Sequence, residues 1–261
     1  LTLFIVLTGV CIGLLGMMSD FGTAAIFFIT FLVIAYLRSG DWATLSLICG
    51  GAVFGAGLIV TFKPYILDRF ATWGHAWEAA STTGYQQTRT MSAAASGGLL
   101  GMGAGEGWLH RVAAADTDLV FGMLCEEWGL IIAVLAVASI IVPAFFAVRT
   151  IRVGRSSFYT IAACAAGSLL VFQTCLNVFG SVDLLPLTGV TFPFVSNGGS
   201  AMMSAWGLLA FLKATDTREN ASFAIRRAPQ RQLTEEAHRR AAPVEDPFGM
   251  EEREEADHAE D

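Results

Sequence analysis

Residues 119–148 read LVFGMLCEEWGLIIAVLAVASIIVPAFFAV, and the only charges in them are Glu126 and Glu127. A helix needs roughly 20 apolar residues to cross the hydrocarbon core of a bilayer. This run is long enough to cross with tilt or to extend beyond the bilayer. Just before it, AAADTDLVFG at 113–122 sets Asp116 and Asp118 where a polar stretch becomes apolar. Carboxylates at that boundary either cap the helix N-terminus, whose free N–H groups they suit, or carry chemistry. Asp116 or Thr117 is the natural cap. Glu126 and Glu127 lie about two turns deeper, where ionisable groups default to cavity-facing or functional roles. Adjacent residues point about 100° apart on a helix, so the two glutamates cannot share one direction.

Working outward, five further apolar runs appear, at about 1–17, 21–37, 44–62, 158–180 and 198–213. The chain of 261 residues is 54% hydrophobic and 15% charged, against about 25% charged for a soluble domain. The expected fold is an all-α polytopic membrane protein with six visible spans. The membrane domain covers 1–213, and a large outward loop occupies 63–118. The remainder, 214–261, carries 13 acidic and 7 basic residues and is expected to be a charged, largely disordered cytoplasmic tail. That tail sets the acidic pI of about 5.1. No basic patch of the kind that binds nucleic acid is present.

The connections give an orientation. Arg38 lies between spans two and three, Arg149, Arg152 and Arg155 between four and five, and Lys213, Arg218, Arg226 and Arg227 after span six. The alternate short connections, Ser19–Asp20 and Ser181–Asn197, have no Lys or Arg, so the Arg-bearing side is expected to be cytoplasmic. Leu1 falls inside an apolar run, so the chain is expected to be a fragment; six spans put Leu1 on the tail's side, so an upstream part is expected to hold an even number of spans. All five cysteines lie in spans and none forms a CxxC pair; they are expected to be packing residues.

The outward loop is not disordered by composition: it holds Trp73, Trp77, Tyr85, Leu99, Leu100 and Trp108. Short helices at the outer leaflet are expected there. Its glycine-rich SGGLLGMGAGEG (96–107) lacks the strand and the Lys-Ser/Thr of a phosphate loop, which leaves tight turns or close backbone packing. LLPLTGVTFPFVSNGGSA (184–201) is irregular backbone at membrane depth, tolerated only where protein or a wet cavity surrounds it. The outward side gathers Asp20, Asp68, Glu78, Glu106, Asp116, Asp118 and Asp183 with Lys63, Arg69, Arg89 and Arg111. His75 and His110 lack metal-ligand spacing. Carboxylates among cations suit a general base beside a phosphate-bearing substrate.

Several blocks together resemble one family. TDLVFGMLCEEWGLI (117–131) is similar to TDFIFAxxxEELGLxG of the shape, elongation, division and sporulation (SEDS) proteins. SDFGTA (19–24) resembles PDLGTA, and KPYILDRF (63–70) resembles the family's basic entry to its large loop. GYQQTRTMSAAASGGLLGMGAG (84–105) is similar to GYQxxQSxxAxGSGGLxGxGxG. FQTCLNVFGSVDLLPLTGVTFPFVSNGGSA (172–201) is similar to FQxxxNxxxxxGxLPxTGxxLPFxSYGGSS. The blocks keep the family's order over roughly 18–213.

The resemblance implies ten spans, of which this chain would hold the last six. It implies a peptidoglycan glycosyltransferase at the outer face of the bacterial plasma membrane. The substrate would be lipid II, a disaccharide-peptide on undecaprenyl diphosphate, and the partner a class B penicillin-binding transpeptidase. The family's essential Asp maps onto Asp118, the expected general base of an inverting displacement. Lys63, Arg69 and Arg89 would hold the diphosphate, with no certain cofactor, although a divalent cation (Mg or Mn) could assist. Gly98, Glu126, Glu127, Asn177, Pro193, Ser196, Gly198 and Gly199 are the motif positions expected to contact substrate. Two other functions are expected as rivals: a lipid II flippase, and a weakly active scaffold recruiting a transpeptidase. The motif departs from the family pattern at VAAADTD (112–118), where LPEAHTD is usual and Asp116 replaces a His. It departs again at SNGGSA (196–201), where Asn197 replaces a Tyr.

Overall fold

A computed structural model of the chain describes residues 2–18, 20–62, 70–151 and 157–215. The chain divides into two units, Leu1–Asp216 and Thr217–Asp261, and the described residues all belong to the first. Regular structure among them is entirely helical. The helices are α1 (Thr2–Met17), α2 (Phe21–Ser39), α3 (Trp42–Phe62), α4 (Tyr85–Gly97), α5 (Val120–Glu127), α6 (Gly129–Ile151), α7 (Ser157–Ser181) and α8 (199–215). One 3-10 turn, Leu109–Arg111, precedes α5.

The boundaries follow local chemistry. Asp20 caps α2 by accepting the Thr23 N–H at 3.0 Å. Gly40, left-handed at φ 64°, ends it by donating its N–H to the Tyr36 carbonyl at 2.8 Å. Asp41 then opens α3, accepting from the Ala43 and Thr44 N–H groups and from the Thr44 hydroxyl. The Ala43 N–H and then the Thr44 hydroxyl hold the Asp41 carboxyl below its ordinary range.

Among the described residues two helices, α2 and α7, are long and apolar enough to cross a membrane; shorter apolar segments run over Ile5–Met17, Trp42–Gly55 and Gly129–Phe145. Their outward faces are apolar: Leu47 is 79% exposed and Phe54 71%, and Val6, Leu14, Leu135 and Phe145 are exposed as well. Contiguous apolar surface of this extent suits lipid rather than water. The interior centres on α7, whose run Ala163–Gly167 of small buried residues admits close helix packing against α6 and α2. Phe192, Leu170, Phe121 and Cys125 join α5, α6, α7 and α8 in one core cluster. Ala93, Leu109, Val112, Ala115 and Leu119 form a second cluster beneath α4. Cys125 and Cys164 are buried, the other three cysteines are half-buried, and all five are free thiols.

The apolar run 119–148 differs from the single span expected of it. It is two helices, α5 and α6, broken at Trp128–Gly129. The glycine-rich segment causes the break. The Met102 and Gly103 N–H groups donate to the Glu126 and Glu127 carbonyls at 2.9 and 3.0 Å. The Leu130 N–H donates to the Gly98 carbonyl at 3.0 Å. The loop thus takes up backbone groups that the broken helix frees. The backbones touch: a Cβ on Gly101 would collide with the Glu127 carbonyl oxygen, and one on Gly129, at φ 84°, with the Leu99 carbonyl oxygen. Close packing accounts for these glycines.

Candidate functional site

Asp118 sits two residues before α5, directly preceding its N-cap Leu119, half-buried, with its carboxylate against Gly189. A Cβ added to Gly189 (φ 70°) would lie 3.3 Å from Asp118 Oδ2. No described residue hydrogen-bonds to that carboxylate. Its main chain, in contrast, is tied down. The Asp118 N–H donates to the Ala114 carbonyl at 2.9 Å, closing a turn over Ala114, which has φ 60°.

Three consecutive carbonyls of this segment each receive a donor from distant chain. The Asn197 N–H donates to the Asp116 carbonyl at 2.9 Å. The Ser196 hydroxyl donates to the Thr117 carbonyl at 2.6 Å. The Asn177 side-chain amide donates to the Asp118 carbonyl at 2.9 Å and to the Val190 carbonyl at 2.7 Å. Asn177 and Ser196 are buried, so these bonds are shielded from competing water. The Ser196 hydroxyl also accepts the Phe192 N–H at 2.7 Å. Gln173 donates to the Thr191 carbonyl and hydroxyl from one turn earlier in α7. On the far side, Gly22 of α2 lies so close to Thr188 and Val190 that a Cβ there would collide with the Val190 side chain. Gly22, the 117–118 pair and the 188–197 segment therefore meet at one place.

Asp116 is not a helix cap. The cap position of α5 is Leu119, which makes no side-chain bond. The Asp116 carboxylate instead accepts the Asn197 side-chain amide at 3.1 Å, so Asp116 and Asn197, both exposed, are joined twice.

The remaining expected contacts are distributed. Glu126 is 1% exposed, and its two oxygens accept the Trp108 and Leu109 N–H groups at 2.8 and 3.1 Å. It thereby fixes the 3-10 turn that leads into the Asp118 segment. Glu127 accepts the Gly105 N–H at 3.1 Å. Pro193 is buried beside Phe192, and Gly198 turns the chain into α8 by donating to the Ser196 carbonyl. Gly199 begins α8 with open space where a Cβ would be. Gly98 ends α4, also in open space. Arg89 lies on the exposed face of α4, its guanidinium 5.2 Å from the Tyr85 ring centre. Lys63 and Arg69 lie outside the described residues. Among the described residues no three or more His, Cys, Asp or Glu side chains are grouped to hold a metal ion.

Sequence reasoning missed the partners. Asp183 accepts the Gly74 and Ala76 N–H groups and the Gln87 amide, and the Trp73 indole donates to the Leu184 carbonyl. These bonds anchor the start of the 70–118 segment to the end of α7. Among the described residues, Ala114, Asp183 and Phe194 are the non-glycine residues with positive φ, and all lie in the two irregular segments that meet here. Such conformations cost about 1–3 kcal/mol each and persist where surrounding contacts over-determine them.

Known proteins share this sequence and fold. The model of the cell cycle protein family of FtsW, RodA and SpoVE matches residues 1–221. A peptidoglycan glycosyltransferase RodA of Mycobacterium tuberculosis is 31% identical over 207 residues, 78% of this chain and 43% of the relative. A probable peptidoglycan glycosyltransferase FtsW of Escherichia coli is 30% identical over 192 residues, 70% of this chain and 46% of the relative. The chain therefore spans about half the length of the curated relatives it matches. A solved structure described as "Structural coordination of polymerization and crosslinking by a peptidoglycan synthase complex" contains a chain of similar fold, with a TM-score of 0.57 at 22% identity. The match covers 82% of this chain and 60% of that one. With its family match running through every helix of the site, this chain belongs to the FtsW, RodA and SpoVE family of cell cycle proteins.

Proposed function

We propose that the protein containing this chain is a peptidoglycan glycosyltransferase that polymerises lipid II, with Asp118 as general base. The observation that carries it is a carboxylate unbonded to any described residue on a main chain held at three successive carbonyls. Relatives named as peptidoglycan glycosyltransferases supply the reaction class.

In this reaction a sugar hydroxyl of one substrate attacks the anomeric carbon of the other. Asp118 takes the hydroxyl proton as the new C–O bond forms. The bond from the anomeric carbon to the diphosphate breaks, and its electron pair leaves with undecaprenyl diphosphate. One displacement inverts the anomeric centre. General-base help of this kind contributes about 10²–10⁴-fold. Cations stabilise the leaving diphosphate without a general acid. Lys63, Arg69 and Arg89 are the proposed cations. Gly98, Pro193, Gly198 and Gly199 are proposed as backbone that lets substrate approach. Asn177 and Ser196 act through Asp118, as do Glu126 and Glu127 through the 3-10 turn and loop before it. A divalent cation bound to the diphosphate would supply the same charge stabilisation.

The proposed setting is a ten-span plasma-membrane protein in which 1–213 supplies six spans and 214–261 a cytoplasmic tail. The 63–118 loop faces outward, where a class B penicillin-binding transpeptidase would receive the glycan. The test reconstitutes the full-length protein in liposomes, with purified lipid II on the outer face. Polymerisation by wild type but not by Asp118→Ala supports the proposal. Lipid II translocation that survives Asp118→Ala, without polymer, would establish a flippase instead. Transpeptidase capture by a protein that makes no polymer would establish a scaffold.

A further inference from the structure

The two motif departures nearest the site touch each other. Asp116 stands where the family pattern has His, and Asn197 where it has Tyr. Eighty-one residues apart, they meet through an amide-to-carboxylate bond of 3.1 Å and a backbone bond of 2.9 Å. We infer that Asp116 and Asn197 form a clasp that sets the pose of Asp118, making both positioning residues; its consequence for turnover rests on the polymerase proposed above.

The geometry supports this role. Of the three bonds holding the 116–118 carbonyls, two come from the buried side chains Asn177 and Ser196 and reach Asp118 and Thr117. The third reaches Asp116 at the exposed end, where water competes, and a backbone bond alone would fray there. The added side-chain bond closes that end. Its acceptor is a carboxylate oxygen and its donor a side-chain amide. Asp116 lies inside the turn that runs from the left-handed Ala114 to Asp118, closed by the Asp118 N–H donating to the Ala114 carbonyl. Opening the clasp would release the segment whose carboxylate lies against Gly189. Because both residues are exposed, changing them leaves no unfilled core.

The pair can be exchanged. Asn197→Asp sets two carboxylates at bonding distance and opens the clasp. Adding Asp116→Asn reverses donor and acceptor and restores the bond. The first readout is amide hydrogen exchange across 112–122 in the full-length protein in nanodiscs, which needs no activity. Exchange is expected to rise about tenfold in Asn197→Asp and to return within about twofold of wild type in the double variant. The second readout is lipid II polymerisation. There kcat is expected to fall roughly 10- to 100-fold in Asn197→Asp, with KM and thermal midpoint unchanged, and to recover in the double variant. Wild-type exchange in Asn197→Asp, or a double variant that recovers neither property, overturns the clasp. A wild-type protein that shows the exchange coupling but makes no glycan keeps the clasp and overturns the polymerase.

Discussion

Asn177 binds Asp118 by its main chain and not by its carboxylate: one buried side-chain amide donates to the Asp118 carbonyl at 2.9 Å and to the Val190 carbonyl at 2.7 Å. A single α7 residue thus joins the segment bearing the proposed base to the segment that packs against it. Leaving buried carbonyls unsatisfied costs about 1–3 kcal/mol each. Asn177→Leu is therefore expected to lower stability by about 2–4 kcal/mol, measured by thermal unfolding in detergent. Glycan synthesis should fall with it, while a Gln173→Leu control, whose bonds reach only Thr191, loses less.

Glu126 is expected to be a stability residue first. Its two oxygens accept two backbone N–H groups at 1% exposure. Glu126→Ala strands both donors and is expected to cost about 2–4 kcal/mol. Glu126→Gln keeps one acceptor and should cost about half as much. Glu127→Ala, losing one bond on a half-buried side chain, should stay within about 1 kcal/mol. Denaturation of the three variants side by side checks the ranking.

Gly189 tests the carboxylate's surroundings without touching it. Gly189→Ala places a methyl 3.3 Å from Asp118 Oδ2 on backbone at φ 70°. The backbone conformation costs about 1–2 kcal/mol. Displacing the carboxylate should lower polymerisation by roughly 10-fold or more in protein that remains folded. Gly101→Ala differs in kind: its methyl would enter the Glu127 carbonyl, so loss of folded yield is expected.

Asp41 carries a pH signature at the α2–α3 turn. Its folded carboxyl is held below the ordinary value by the Ala43 N–H and the Thr44 hydroxyl. A depressed carboxyl contributes stability that is fully present above its unfolded value, near pH 4, and is lost as pH falls through the folded value. The thermal midpoint of Asp41→Asn should lie slightly below wild type at pH 6, and the gap should close below about pH 4. A gap that widened on acidification would contradict the assignment.

The apolar runs were legible as helices because the signal for an apolar helix is local: α2, α3 and α7 begin and end within a few residues of the runs that announced them. The break at Trp128–Gly129 was not legible. It depends on Met102, Gly103 and Gly98 arriving from about thirty residues upstream, and nothing within 119–148 records that. Asp116 failed as a cap for a similar reason. A DTD sequence before an apolar run is a sound capping signal, but Asn197, far along the chain, takes the carboxylate, and α5 starts at Val120. Glu126 was legible as an anomaly, since a carboxylate in an apolar helix needs partners. Its partners at Trp108 and Leu109 required the fold. The glycines of 97–107 were weighed as tight turns or close packing, because no strand or Lys-Ser/Thr stood beside them; Gly97, Gly101 and Gly107 pack closely, while Gly98, Gly103 and Gly105 are positive-φ turn positions. The expected roles of Lys63 and Arg69 fall on residues outside the described structure.

The central claim is that Asp118 accepts the attacking hydroxyl's proton, and Asp118→Asn addresses it with least disturbance. Asparagine keeps the side chain's size beside Gly189 and leaves the main-chain bonds from Asn177, Ser196 and Asn197 in place. The measurement is the initial rate of glycan formation from purified lipid II by the full-length protein, wild type against variant, at matched thermal midpoints. The account predicts a fall of at least about 100-fold. A variant that polymerised at the wild-type rate would contradict it.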